Sequence, residues 1–381
     1  MPDDLSPLQC SNFEVALNEF DDLVVQGDKA FLLGAGCSKC AGLPLATELM
    51  GMTCESNQLD KPTKTILTTI ENRFHGSTAA NIEDYLSELM DFVANAERRK
   101  ARGANKATVS LNEIEYSVQQ LRDAVDQVKE AIAEAIDVER VNLQHHRQFI
   151  DAVHRPPRSG RKAGDRCVDY LVLNYDTLIE SALALERLRY ADGMRGGQNA
   201  WWDCSAFESN QLDARVLKLH GSIDWSEAPG ESLPRRIATN VSLDNGNKGR
   251  ILIWPASTKC RESQQDPFAQ LSQLARSILV PRPGRQTVLT VCGYGFGDRH
   301  INGEIERALR ASRGELTVAV FTYDERPTGE LKRLHEIDDI GDQIRIHARR
   351  GFFHGDTAVV SEVDLPWWKF ETVARLLGGE R

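Results

Sequence analysis

The sequence has no apolar run of membrane-spanning length, and its start, Met1-Pro2-Asp3-Asp4, lacks the basic and apolar regions of a signal peptide. A soluble cytoplasmic protein without membrane contact is therefore expected. It also lacks an excess of positive charge. Forty-six Lys and Arg stand against 56 Asp and Glu, a net charge of -10, which argues against a wholesale electrostatic grip on nucleic acid. Local basic patches remain, but direct nucleic-acid binding is not expected. The eight cysteines (Cys10, Cys37, Cys40, Cys54, Cys167, Cys204, Cys260, Cys292) are scattered, so neither a disulfide framework nor a four-cysteine zinc site is indicated. Cys37 and Cys40 form one C-x-x-C with no second pair, open to a redox role or, more simply, to two small residues lining a tight turn. No Walker A lysine pattern, internal repeat, low-complexity tract or carboxylate cluster with metal-ligand spacing is found, and no metal is expected.

What is present is length and core. With 381 residues, 41% of them hydrophobic, the chain can build two domains or one large domain with an insertion. Its organising stretch runs from Phe31 to Pro44. An apolar run, Ala30 to Leu33, ends in Gly34-Ala35-Gly36, and a helical pattern, Leu45 to Met50, follows soon after Pro44. This reads as strand, glycine turn, helix, an arrangement in which backbone N–H groups and the helix dipole favour phosphate oxygens. A nucleotide diphosphate suits such a turn, although packing also produces glycine-rich turns. The dinucleotide fingerprint would have a third glycine where Lys39 stands.

Asn12 to Val25 carries a helical apolar stripe that leads into the first strand. After Pro44 a helical pattern continues for roughly a hundred residues, with no clear strand until Val168, which reads as an insertion. Within it Leu111, Ile114, Val118, Leu121, Val125, Val128 and Ile132 recur in steps of three and four, predicting one helix packed along another, within the chain or between subunits. The loop His154 to Arg166 and the run Arg98 to Arg102 supply local positive charge. Strands are then predicted at Tyr170 to Leu173, Val216 to Leu219, Ile251 to Trp254, Val288 to Cys292, Leu316 to Tyr323 and Gln343 to His347, with helices at Thr177 to Leu185, Phe268 to Leu279 and His300 to Ala311. The expected fold is α/β: a Rossmann-like, mostly parallel sheet with helices on both faces and a large helical insertion. The tail, with Pro366-Trp367-Trp368-Lys369-Phe370 and Val373 to Leu377, either seals the core or contacts a neighbour.

Ligands of such sheets lie at the carboxyl ends of the strands, where polar or glycine residues should follow. They do: Asn174-Tyr175-Asp176, His220-Gly221-Ser222, Pro255 and Gly293-Tyr294-Gly295 each end an apolar run. Asp176 and Asp298 could simply cap the helices after them, and for Asp298 the cap is preferred. For Asn174 and His220 function is preferred over local hydrogen bonding, because they share a sheet edge with the glycine turn.

The ordered set Gly34-Ala35-Gly36-Cys37-Ser38, Asn174-Tyr175-Asp176, Leu219-His220-Gly221-Ser222 and Gly293 to His300 resembles the sirtuin-like superfamily, in the branch found in bacterial anti-phage defence proteins. Asn81 to Glu88 resembles the segment after the glycine turn in that branch. The resemblance implies a sirtuin-type NAD-binding domain in residues 1–60 and 165–350, a helical insertion in 61–164 and a tail in 351–381. It implies NAD as substrate: Gly34, Ala35, Gly36 and Ser38 at the pyrophosphate, and Gly293, Tyr294 and Gly295 near the adenosine half. Asn174 would orient the nicotinamide ribose and a water, Asp176 would hold the carboxamide, and His220 would be the general base. The chain departs from lysine deacylases, for it lacks their zinc module and has Leu43-Pro44-Leu45-Ala46 where they carry Asp-Phe-Arg. The implied activity is NAD hydrolysis to nicotinamide and ADP-ribose in antiviral, abortive-infection defence. Homo-oligomerisation and a HerA-type hexameric ATPase partner follow from the same resemblance. A sensor of NAD or ADP-ribose without turnover, and a nucleic-acid-processing subunit, are the alternatives.

Overall fold

The strand that opens the glycine turn lies at the centre of the molecule. In the computed structural model, which describes residues 3–74, 82–104, 107–154, 167–227, 231–237, 250–252 and 266–380, helix α1 (Ser11–Gln26) buries Phe13, Ala16, Leu17, Phe20 and Val24 and delivers the chain into β1 (Asp28–Leu33). Then come α2 (Ala46–Glu55), α3 (Lys61–Glu71) and α4 (Ile82–Ala101).

The predicted helix from Leu111 is corrected here. Residues Thr108–Leu111 (β2) and Ile114–Ser117 (β3) form an antiparallel hairpin, and α5 begins only at Val118, running to Ile136. The reason is local: Asn112 and Glu113 both adopt left-handed backbone (φ 46 and 66), as a two-residue hairpin loop requires. Ser117 then starts the helix through a reciprocal hydrogen-bonded cap with Gln120. Leu111 belongs to the hairpin and Ile114 is exposed, while Val118, Leu121, Val125, Val128 and Ile132 form the buried seam of α5. These segments, α2 to α5 with the hairpin, share one hydrophobic core that also takes in Leu43, Tyr175, Leu178 and Ile223. Helix α6 (Gln144–His154) instead buries Phe149, Ile150 and Val153 in the core on one face of the main sheet.

The remaining elements are β4 (Val168–Val172), α7 (Leu178–Leu185), β5 (Tyr190–Ala191), β6 (Met194–Arg195), β7 (Ala200–Trp202), β8 (Ala214–Lys218), β9 (Gly221–Ser226), β10 (Arg235–Arg236), β11 (Arg250–Leu252), α8 (Phe268–Leu279), β12 (Thr287–Cys292), α9 (Arg299–Ser312), β13 (Leu316–Thr322), α10 (Gly329–His335), β14 (Ile344–Ala348), β15 (Gly351–His354), β16 (Thr357–Val360) and α11 (Phe370–Leu377). Nine strands form the main sheet in the order β16-β15-β14-β13-β12-β1-β4-β8-β5, parallel from β14 to β5 and closed at one edge by the antiparallel pair β15 and β16. The fold is the expected Rossmann-like α/β architecture. From β1 the chain builds outward through β4 and β8 on one side, then returns to build β12, β13 and β14 on the other. This reversal opens a crevice at the carboxyl ends of β1, β4 and β12, where open α/β sheets bind ligands.

The strand expected at Ile251 to Trp254 is also corrected. Arg250–Leu252 pairs antiparallel with β9 in a separate sheet of order β11-β9-β10-β7-β6, and Trp254 and Pro255 lie outside the described residues. An apolar run shows burial but not the sheet that buries it. Gly221, at φ 87, turns the chain sharply after β8 and starts β9 in the new direction. The tail seals the core: Trp367 is fully buried with its indole N–H donated to the Ala348 carbonyl at 2.7 Å, and Phe370, Val373 and Leu376 pack in the same cluster. Among the described residues no helix is long and apolar enough to cross a membrane.

Candidate functional site

The glycine turn does not run straight into an α-helix. Two short 3-10 turns (Ala35–Cys37 and Lys39–Ala41) come first, and α2 starts only at Ala46. The N–H groups of Gly36, Cys37 and Ser38 donate to the carbonyls of Gly293, Gly34 and Ala35, so these three donors are used inside the protein. The glycines are here because two loops cross. A Cβ on Gly34 would lie 2.5 Å from the Gly293 oxygen, one on Gly36 would lie 2.7 Å from the Gly293 Cα, and one on Gly293 would lie 2.4 Å from the Cys37 nitrogen. Gly295 differs, with nothing near such a Cβ, and it faces a cavity of about 310 Å³.

That cavity sits at the switch point, and its walls include Gly34, Ala35, Ser38, Asn174, Asp176, His220, Gly293, Tyr294 and Gly295. Its volume falls at the low end of small-ligand sites, ~300–1,000 Å³. Gly36 is packed against Gly293 and is not part of the wall.

At the end of β4, the Asn174 amide donates to the Gly34 carbonyl at 3.1 Å and to Ser38 Oγ at 2.7 Å. Both amide protons are thus engaged, leaving the side-chain carbonyl as the atom Asn174 can offer a ligand. Ser38 Oγ in turn donates to Asp176 Oδ2 at 2.6 Å, and Asp176 Oδ1 accepts from Leu178 N at 3.1 Å, the local bond at the start of α7. Ser38 therefore joins the turn after β1 to the loop after β4. Beneath that loop Lys218 is fully buried, donates to the Asp176 carbonyl and lies 3.5 Å from Glu180.

Burial pushes the Glu180 carboxyl up to about 7, with Lys218 opposing the shift, and among the described residues Glu180 Oε2 has no hydrogen-bond partner. A raised folded-state value means that this group's contribution to stability is present below its ordinary value of 4.5 and is lost as pH rises through about 7. Glu180→Gln is expected to remove that loss. Relative to the unmodified protein, the variant should gain as much as about 3 kcal/mol on going from acid to neutral pH. Urea denaturation at both pH values measures it; a constant difference between the two proteins refutes it.

His220 sits in the tight connection from β8 to β9, almost completely buried. Its Nε2 lies 3.1 Å from Asp298 Oδ2, and its Nδ1 lies 3.9 Å from Glu83 Oε1. Asp298 is the cap that the sequence suggests, for its Oδ1 accepts from His300 N at 2.8 Å and Ile301 N at 3.4 Å. Its second oxygen, turned to the histidine, was not legible in the sequence. Nor was the arrival of Glu83 and Asp84 from α4 at the cavity wall; the only signal was the resemblance of Asn81 to Glu88, of which Asn81 lies outside the described residues. Tyr294 braces the loop: its hydroxyl lies 2.8 Å from Asn302 Oδ1 and receives the Asp298 N–H at 3.2 Å, and burial pushes its pKa upward.

Residues 169–340 match a family model described as SIR2-like domain. Over that segment the chain is similar to sirtuin-like domains. The matched segment holds Asn174, Asp176, His220, Gly293, Tyr294 and Gly295, while Gly34 to Ser38 precede it. Such a domain fits NAD-related activity in general. No curated protein matches the chain.

The charges on the cavity wall are of one sign. Four carboxylates, Glu83, Asp84, Asp176 and Asp298, line the cavity, and no Lys or Arg does so among the described residues. This wall suits a cation, such as a pyridinium ring or the positive charge that grows on a ribose as its glycosidic bond breaks. The Cys37 and Cys40 thiols are protonated structural groups: burial pushes Cys37 well up and Cys40 to about 12, and Cys37 donates to the Cys292 carbonyl at 3.2 Å. Among the described residues no group of three or more His, Cys, Asp and Glu is placed to hold a metal ion. Of the basic clusters, Arg98 and Arg99 bond to Asn95 and to the Thr108 carbonyl, and residues 155–166 lie outside the described residues.

Proposed function

We propose that this protein is an NAD+ glycohydrolase that releases nicotinamide and ADP-ribose and so depletes NAD in bacterial antiviral defence. The observation that carries this reading is the meeting of Asn174, Asp176 and His220 on one carboxylate-lined cavity at the sheet's switch point. Nicotinamide is a neutral leaving group once the C1′–N bond has broken and its electron pair has moved to the ring nitrogen, so the protein needs little acid catalysis. It must hold the ribose, stabilise the cation that forms and activate a water. The Asn174 carbonyl faces the ribose, the carboxylate wall stabilises the cation, and His220 accepts the water's proton. Asp298 holds the resulting imidazolium through Nε2.

Activity that destroys NAD has to be switched on, and we assign that role to assembly: a homo-oligomer working with a HerA-type hexameric ATPase. Light scattering of the protein alone and with such an ATPase tests the assembly; a monodisperse monomer under both conditions refutes it. The reaction is tested by incubating the full chain with NAD, with and without that ATPase and DNA, and measuring free nicotinamide and ADP-ribose. Equal yields of the two are expected. Bound but intact NAD under every condition would favour a sensor instead.

A further inference from the structure

The helical insertion brings a fourth polar group to the reacting end of the cavity. Glu83 lies in the first turn of α4, between the buried Ile82 and the buried Tyr85 and Leu86, so its backbone is fixed by the insertion's own core. An acidic residue there already complements the helix dipole, and Asp84 shares that explanation. Position separates the two, because it is Glu83 whose carboxylate comes to 3.9 Å from His220 Nδ1. On the imidazole's other side Asp298 Oδ2 lies 3.1 Å from Nε2, and in the tautomer that donates to this carboxylate the Nδ1 lone pair is directed to the side of Glu83. A separation of 3.9 Å is too long for a direct hydrogen bond, yet one water set to the side of the pair reaches both atoms.

Resting on the reading of this site as an NAD hydrolase, we propose that Glu83 is a catalytic residue that, with His220 Nδ1, holds the water that attacks the ribose C1′. One O–H of that water points at Nδ1 and the other at the Glu83 carboxylate. As the C1′–N bond breaks and nicotinamide leaves with the electron pair, the water oxygen bonds to C1′. Its first proton passes to Nδ1, and the imidazolium is held between Asp298 and Glu83. The second proton remains on the new C1′ hydroxyl of ADP-ribose. Three separate elements thus build one acid–base group: the β8–β9 connection, the start of α9 and the start of α4. The insertion is then part of the chemistry and more than a wall.

The test separates water activation from mere support of the fold, because the same ribosyl cation can be trapped by an added pyridine base that has no proton to lose. Full-length protein, with its activating partner, is given NAD and 3-acetylpyridine, and both hydrolysis and base exchange are followed for the unmodified protein, Glu83→Gln and Asn174→Ala. Glu83→Gln is expected to lower kcat for hydrolysis by ~100-fold, the scale of a lost acid–base group, with KM little changed. The ratio of exchange to hydrolysis should rise by ~10-fold or more. Equal loss of both products in Glu83→Gln overturns the assignment and makes Glu83 a structural residue; unchanged hydrolysis also overturns it. Loss of the parent reading looks different, for then the unmodified protein itself forms neither product.

Discussion

His220→Ala and Asn174→Ala are each expected to reduce nicotinamide release by ~100-fold or more, the usual effect of losing an acid–base or positioning group. The two should fail differently. His220 has Asp298 behind it and Glu83 in front, so its loss removes the proton acceptor and leaves the Asp298 carboxylate without its ring partner. The damage should appear in kcat. Asn174 spends its amide protons on Gly34 and Ser38, so alanine also loosens the link between the turn after β1 and the loop after β4. Its damage should extend to KM, since substrate then meets a cavity wall that is no longer preorganised. Steady-state nicotinamide release by the purified variants, with the activating partner present, measures both. Turnover within a few-fold of the unmodified protein would remove that residue from the catalytic group.

Gly293→Ala is expected to cost the fold itself about 3–5 kcal/mol, combining left-handed backbone strain with overpacking. The residue has φ 64, and its added methyl would meet the Cys37 nitrogen at 2.4 Å and the Gly36 carbonyl carbon at 2.8 Å. Those are backbone atoms, with no flexible side chain to move aside. The two loops would have to separate, and the bond from Gly36 N to the Gly293 oxygen, 3.0 Å long, would stretch with them. Gly295→Ala is the matched comparison. Its Cβ would meet nothing within 4 Å, so stability should hold while any change falls on substrate binding. Urea denaturation of both variants is the measurement, and equal stability of Gly293→Ala and Gly295→Ala would refute the crossing-loop account.

Much of this architecture is written in local pattern. Parallel strands buried on both faces must be continuously apolar, which is why Tyr170 to Leu173, Val288 to Cys292 and Leu316 to Tyr323 could be read as strands, and why the helices between them were equally plain. Because ligands gather at strand carboxyl ends, Asn174, His220 and Gly293 could be named as neighbours without coordinates. The cap at Asp298 was legible for the same local reason.

Tertiary structure alone decided what these residues touch. Spacing marks Gly34, Gly36 and Gly293 as turn residues, but only the crossing of two loops shows that each must lack a side chain because of the other. The resemblance makes Ser38 a pyrophosphate ligand; the Asp176 carboxylate that accepts its hydrogen bond comes from a position 138 residues away. Glu83 follows the dipole rule of its own helix and gives no local sign of His220. The hairpin at Thr108–Ser117 was missed because short apolar runs fit helix and strand alike, and the strand at Ile251 was assigned to the wrong sheet because its pattern does not name its partner, β9. Periodicity encodes how a segment is buried; which distant segments meet is set by how the nine strands are ordered, and that ordering carries the chemistry.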